Sequence, residues 1–382
     1  YATCRNLSYE EIEANIKAGK PYVLRLRSQG SPDKEITFVD AIKGEIKLPE
    51  NIHDIVLLKK DGIPTYHFAH AIDDHLMRTT TVVRGGEWLA SAPIHYELFH
   101  LLGFKMPAYA HTAHLMKFDE ETGGKRKLSK RKDPELSLDY YRKDGYHPYT
   151  MKVYLLTLLN SNFEEWHEKF PDKDINEFPF SVEKMNQSGA LFDKDKLHNI
   201  CKNELSKLSE EELYDFLYDW AKENEPENVE KWFGDREKML QILRLYMGVG
   251  AKRRRKDLMY AKQIFELISY FFDGESAEEM DEFKLDEDMV SKILKSYLAK
   301  YDHNDDNSVW FNKLKEIADE HGFASDMKAY KANPENFKGN VSDIAEAVRI
   351  AVTGRANTPD LWTIVHIMGE EQMTERIKKH IK

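Results

Sequence analysis

Apolar positions in the C-terminal half of the chain recur at helical spacing. Leu213, Phe216, Leu217 and Trp220 stand at offsets 0, 3, 4 and 7 behind Ser209, a residue suited to capping the helix they define. A stripe of this kind is a buried face rather than a cofactor box. Similar stripes over residues 242–247, 260–272, 289–297, 310–317 and 371–381 predict that everything beyond about 205 is helical. The N-terminal half is patterned differently. Ser8-Tyr9-Glu10-Glu11 forms a capping box ahead of Ile12 and Ile16, and Gly19 and Pro21 stop that helix. Strand-like runs follow at 22–26, 36–39, 45–48 and 55–58. A helix over Tyr66–Leu76 then leads to a short strand at 80–84. Gly85-Gly86 turns the chain into a helix over 91–102, and a strand is expected at 111–116. Residues 118–205 read as mixed and mainly helical. The fold class predicted is α/β followed by all-α, with no internal repeat.

Composition narrows the classes. A chain of 382 residues, 41% apolar and 12% aromatic, is globular and has room for about two to four domains. Its 56 basic and 67 acidic residues sum to −11, so any contact with RNA must come from local basic surfaces. Cys4 and Cys201 are the two cysteines, which points to a reducing compartment and excludes a thiolate zinc ribbon. No apolar run has membrane length and no signal peptide is read, so a soluble, cytoplasmic chain is expected. The sequence opens at Tyr1, not methionine, and the expectation is a truncated chain.

The strongest chemical signal is residues 125–132, Lys-Arg-Lys-Leu-Ser-Lys-Arg-Lys, of which six are cationic. They follow Gly123-Gly124, a pair that lets the backbone swing. Such a run can be a solvated loop or a nucleic-acid patch. Its internal Lys127-x-Ser129-Lys130 spacing also allows two ammonium groups and a hydroxyl to close on a polyphosphate, balancing charge that builds on an α-phosphate. Arg84 sits at the carboxyl end of a predicted strand, where open α/β sheets place ligands. It is either a surface arginine in a crossover loop or a planar fork for a carboxylate. Tyr66 and His70 share a helical face through their i, i+4 spacing. A second basic run, Lys252-Arg253-Arg254-Arg255-Lys256, is either a solvated turn or an RNA-backbone contact.

The order of these segments closely resembles the class I aminoacyl-tRNA synthetases, specifically bacterial-type glutamyl-tRNA synthetases. Tyr66–Leu76, the run Val82-Val83-Arg84-Gly85-Gly86-Glu87-Trp88, the segment 111–116 and a KMSKS-type signature at Lys127-Leu128-Ser129-Lys130-Arg131 carry the resemblance. It continues through 348–355 and Pro359-Asp360-Leu361-Trp362 to the C-terminus. Nothing matches the family's HIGH signature, which belongs to an earlier part of the nucleotide fold.

The resemblance implies the C-terminal half of a Rossmann-like nucleotide fold with part of its insertion domain, then a stem-contact domain and an all-helical anticodon-binding domain. The expected divisions are 1–62 for the remainder of the acceptor-binding insertion, 63–117 for the second half of the catalytic domain, and 118–205 for the stem-contact fold. Two helical anticodon-binding subdomains, 206–287 and 288–382, would follow. Tyr66, His70 and Arg84 would bind the glutamate substrate, His70 standing where relatives carry asparagine. Glu87, Trp88, the backbone of Leu115 and Met116, Lys127, Ser129 and Lys130 would contact ATP, with Lys127 and Lys130 acting on the phosphates. Gly86 stands where relatives often have an acidic residue. Arg349 and Leu361 would meet anticodon bases, and Arg253 and Arg254 the RNA backbone.

The implied activity is glutamate–tRNA ligation with ATP and Mg2+, on tRNA(Glu), by a monomer without zinc. Whether tRNA(Gln) is also charged is left open. With the HIGH half absent, the expectation is a chain that binds tRNA but charges it poorly. The alternatives are a non-catalytic tRNA-binding module and a glutaminyl-tRNA synthetase, whose anticodon domain is typically a β-barrel. The short tRNA-modifying paralogues lack an anticodon domain, and an unrelated ligase would make the ordered motifs a coincidence.

Overall fold

A computed structural model describes residues 3–119, 121–187, 189–272 and 280–382; Tyr1, from which truncation was expected, lies outside them. The chain forms two compact units, Tyr1–Leu136 with Lys152–Asp193, and Ser137–Met151 with Lys194–Lys382. The expected boundaries at 117/118 and 205/206 therefore fall inside units, because the segment 118–205 is shared between the two cores.

The first unit is built on short strands. Helix α1 (Tyr9–Lys17) starts with the expected capping box, Ser8 Oγ accepting from Glu11 N and Glu11 accepting from Ser8 N. Strands β1 (Leu24–Arg25) and β4 (Val56–Leu58) form an antiparallel pair. Strand β2 (Glu35–Asp40) alternates exposed and buried residues along its length, the mark of a strand covered on one face. It pairs antiparallel with β3 (Gly44–Pro49) and, through Asp40 opposite Tyr109, parallel with β6 (Ala108–Thr112). Strand β5 (Thr81–Gly85) completes the sheet parallel to β6, giving the order β3-β2-β6-β5.

Helix α2 (Tyr66–Leu76) precedes β5. A 3-10 turn (Gly86–Ser91) and helix α3 (Ala92–Leu101) cross from β5 to β6. This β-α-β crossover is the Rossmann-like element. Phe38 and Tyr109 are almost fully buried with Ala92 at its centre, and each such ring contributes about 2–3 kcal/mol of burial.

Two sequence expectations are corrected here. The strand expected at 111–116 is two strands in two sheets. Strand β6 ends at Thr112, Ala113-His114 breaks the run, and β7 (Leu115–Phe118) joins a second sheet of order β8-β7-β9, with β8 (Lys125–Lys127) antiparallel and β9 (Ala190–Leu191) parallel. The basic run is also not a swinging loop at its start. Gly123 takes a left-handed φ of +68° in a hairpin turn, with Asp119 N donating to Gly124 O and Gly123 N to Asp119 O, both at 2.8 Å. The Asp119 carboxylate accepts from Glu121 N and Thr122 N in the same turn.

The second unit is helical around one continuous core that runs from Leu205 to Ile377. Ser209 caps the helix Glu210–Asn224, and Leu213, Leu217 and Trp220 are buried as the stripe requires; Phe216 packs at its margin. Position 287, the expected subdomain boundary, begins the helix Glu287–Lys300, and the same core spans both sides of it.

Candidate active site

Register brings the site together. In the parallel β5–β6 ladder Arg84 lies opposite His111, and the β2–β6 pairing puts Asp40 beside the same strand end. A guanidinium can only donate, so its contacts fix what its neighbours are. Arg84 Nε donates to His111 Nε2 at 2.9 Å, which leaves the His111 proton on Nδ1, where it is given to Asp40 Oδ2 at 2.6 Å. Arg84 Nη1 donates to His95 Nδ1 at 3.2 Å, so His95 donates from Nε2 to His67 Nδ1 at 2.9 Å. Asp40, buried, also accepts from the backbone N–H groups of Ile42, Lys43 and His111.

The contacts that begin at Arg84 thus hold His95, His111 and His67 neutral. Burial depresses His95 most, down to about 2, and burial likewise lowers His67, His70 and His111, with the Arg84 charge pressing in the same direction. The His111 contacts hold the Asp40 carboxyl below its ordinary value despite burial, the largest opposing influence. Among the described residues no carboxylate forms an ion pair with Arg84; its partners are imidazoles, the Trp88 carbonyl at 3.5 Å and the Tyr109 ring face at 4.7 Å. The buried Asp40 carboxylate reaches it through His111. Arg84 is therefore rigidly oriented but electrostatically unbalanced, the state that best receives an anionic group from outside.

Tyr66 and Trp88 form an open aromatic wall beside this arginine, with ring centroids 4.5 Å apart. Tyr66 is half exposed. His70 stacks beneath Tyr66 at 5.9 Å and 5°, but both of its ring nitrogens are occupied. Nδ1 faces Asp74 Oδ2 at 2.6 Å and Nε2 takes the Tyr109 hydroxyl at 2.7 Å, and the residue is only 9% exposed. In this structure His70 is thereby tied to Asp74 and the Tyr109 hydroxyl and stacked on Tyr66.

The hairpin of β7 and β8 lies next along the same edge. Glu87 Oε2 is 3.5 Å from His114 Nε2, and Lys127 Nζ is 3.3 Å from that same nitrogen, so Arg84, Trp88, Glu87, His114 and Lys127 form a continuous series. Leu128 is buried and its N–H donates to Leu115 O at 3.0 Å. Met116 O accepts from Phe192 N at 2.7 Å. The Leu115 and Met116 carbonyls thus already have partners, since β7 is central in its sheet. Lys130 sits in an exposed turn after Ser129.

Residues 1–199 match the family described as tRNA synthetases class I (E and Q), catalytic domain, and residues 212–381 match an anticodon binding domain. A glutamate–tRNA ligase of Acetivibrio thermocellus is 52% identical over 381 residues, covering 99% of this chain and 69% of the relative. The chain belongs to the glutamate–tRNA ligases, class I aminoacyl-tRNA synthetases. A glutamate–tRNA ligase of Clostridium perfringens is 46% identical over 386 residues, again spanning 69% of that protein. A crystal structure of a glutamate tRNA ligase from Elizabethkingia meningosepticum in complex with its amino acid superposes with a TM-score of 0.71 at 25% identity. It covers 98% of this chain and 71% of that one.

The cluster around Arg84 and Lys127 contains residues that sequence reasoning did not assign: Asp40, His67, His95, His111 and His114. None belongs to a spaced motif. Paired strand ends supply Asp40 and His111, helices α2 and α3 supply His67 and His95, and the break after β6 supplies His114, although a buried Asp at the end of an alternating strand was a usable signal. In the helical unit Arg253 and Arg254 are exposed, while Arg255 pairs with Asp257. Arg349 is half buried, its Nη1 donating to Ala356 O at 3.3 Å and its buried Nε lacking a hydrogen-bond partner among the described residues. Leu361, expected to meet an anticodon base, is 3% exposed within the core and presents no face to a ligand in this conformation. No helix among the described residues is long and apolar enough to cross a membrane.

Proposed function

We propose that this site joins glutamate to the α-phosphate of ATP and passes the glutamyl group to tRNA, with Arg84 receiving the side-chain carboxylate. The carrying observation is the unbalanced, imidazole-held guanidinium at the carboxyl end of β5. In the first step a carboxylate oxygen of glutamate attacks the α-phosphorus, the bond to the bridging oxygen breaks, and pyrophosphate leaves; Mg2+ arriving with the ATP would neutralise part of its charge. In the second, a hydroxyl of the terminal adenosine attacks the glutamyl carbonyl and AMP leaves. The reacting nucleophiles belong to substrates, so the chain's part is to orient and to neutralise.

Arg84 holds the substrate carboxylate in a two-pronged pair, and Tyr66 with Trp88 closes the apolar side of the pocket. Glu87, Ser129 and the β7 backbone at Leu115 and Met116 line the nucleotide. Lys127 and Lys130 steady the charge that passes to the leaving pyrophosphate. His95, His111 and Asp40 keep Arg84 from swinging away. In the helical unit, Arg349, with an unsatisfied buried donor, and Arg253 and Arg254 meet the RNA. The protein acts as a monomer on tRNA(Glu) in the cytoplasm.

The test is charging of purified tRNA with glutamate, alongside direct tRNA binding. Lys130→Ala is expected to lower the charging rate at least about a hundredfold while leaving tRNA affinity unchanged. A second reading, a tRNA-binding module without catalysis, is favoured by the anticodon binding match over 212–381. Tight tRNA binding with no glutamate-dependent charging by the unaltered protein would select it.

A further inference from the structure

The turn that carries Lys130 is closed by a single buried carboxylate. Asp133 has a side chain 0% exposed in a stretch whose neighbours Lys130, Arg131 and Lys132 all face solvent. Its two oxygens accept from both prongs of Arg126, each at 2.7 Å, and Oδ2 also accepts from Ser129 N at 2.7 Å. Lys117 Nζ approaches Oδ1 at 3.3 Å. The backbone repeats the closure, with Asp133 N donating to Ser129 O at 2.9 Å and Lys132 N to the same oxygen at 3.1 Å. Leu128 is sunk into the unit on one side of this turn and Asp133 on the other, so the three cations ride on a loop pinned at both ends.

Adjacent like charges at a loop tip repel and would splay the backbone without such a pin. Arg126 is itself oriented by Asp119 on the opposite side, at 3.1 Å. These contacts hold the Asp133 carboxyl well below the ordinary carboxylate range, the Arg126 hydrogen bonds contributing most.

We propose that Asp133 and Arg126 are positioning residues that set Lys130 relative to Lys127 for contact with a polyphosphate. The inference rests on the reading that these lysines take the phosphates. Simple electrostatics points the other way: removing an anion close to the site should tighten the binding of an anionic ligand. A positioning role predicts weakening, so the sign of the effect is diagnostic.

The experiment is calorimetric titration of the full chain with inorganic pyrophosphate at fixed low salt. Asp133→Asn is expected to weaken binding about tenfold, and Arg126→Lys, which keeps the charge but loses the fork, to weaken it less in the same direction. Lys130→Ala should weaken it as well, and Lys130→Ala with Asp133→Asn should be no weaker than Lys130→Ala alone, because Asp133 acts through that lysine. If Asp133→Asn does not fold, Arg126→Lys carries the test. Unchanged or tighter binding by these clamp variants, or additive losses in the double variant, overturns the inference while leaving the phosphate reading intact. Pyrophosphate binding by Lys130→Ala at the unaltered affinity overturns the phosphate reading, and the inference with it.

Discussion

At the scale of residues, a fixed cation sets the protonation of its whole neighbourhood. Arg84 donates to His95 and His111, and those two can accept only while neutral. The consequence for pH follows in sign. The folded pKa of His95 lies at about 2, below its ordinary 6.5, so as pH falls under 6.5 the unfolded chain takes the proton first and the folded state loses stability. Denaturant titrations are expected to show a loss of about 1.4 kcal/mol per pH unit from His95 alone between roughly pH 6.5 and 4.5. His95→Gln, which can still accept from Arg84 and donate to His67, should flatten that slope; equal slopes in the two proteins would refute the locked network. Asp40→Ala strips a buried acceptor from His111 and three backbone N–H groups, and should destabilise the first unit by about 2–4 kcal/mol in the same assay. Arg84 and Lys127 were legible in the sequence because strand ends and cation spacing have recognisable signatures. Their histidine supports were not: His111 meets Arg84 through the register of a parallel ladder and His95 through the packing of α3, and no local pattern encodes either.

At the scale of elements, caps and stripes carried most of what could be read. Ser8 and Ser209 each close a capping box with the glutamate three residues on, and Ser209→Ala should lower stability by about 1 kcal/mol in thermal unfolding. A harsher outcome is expected at Gly145, which ends the helix Leu138–Asp144 with a φ of +78°. A Cβ there would fall 2.4 Å from the Ala261 side chain and 2.7 Å from Trp220 Nε1. Gly145→Ala combines backbone strain with overpacking and should cost about 3 kcal/mol, against about 1–2 kcal/mol at Gly44, where φ is +75° but no atom would meet the new Cβ and strain acts alone. Equal, small effects at Gly145 and Ser209 would contradict this packing. The elements misread were those shorter than a pattern can define. Strand β7 has four residues and β8 three, and their separation from β6 turns on a two-residue break at Ala113-His114. Charge at 125–127 also masked a strand, since six cations in eight residues look like a loop whatever their backbone does.

At the scale of the whole molecule, an acidic protein of net charge −11 must hold an RNA through a few local cations. Binding of tRNA should therefore weaken steeply with salt, and removing Arg253 and Arg254 together should make the log–log slope shallower by about 1–2. An unchanged slope would show that this exposed run does not touch RNA. The division into an α/β unit and a helical unit was legible because two- and 3.6-residue periodicities differ along the chain. The interleaving of 137–151 and 152–193 between the units was not, since nothing in a helix stripe names the core it joins. The central claim, that an arginine held by neutral imidazoles receives the glutamate carboxylate, is tested most directly by titrating the protein with non-reactive sulfamoyl analogues of glutamyl- and glutaminyl-adenylate. Arg84→Ala should lose about 2–3 kcal/mol of affinity for the glutamyl analogue and far less for the glutaminyl one. Equal losses for both, or none for either, would contradict it.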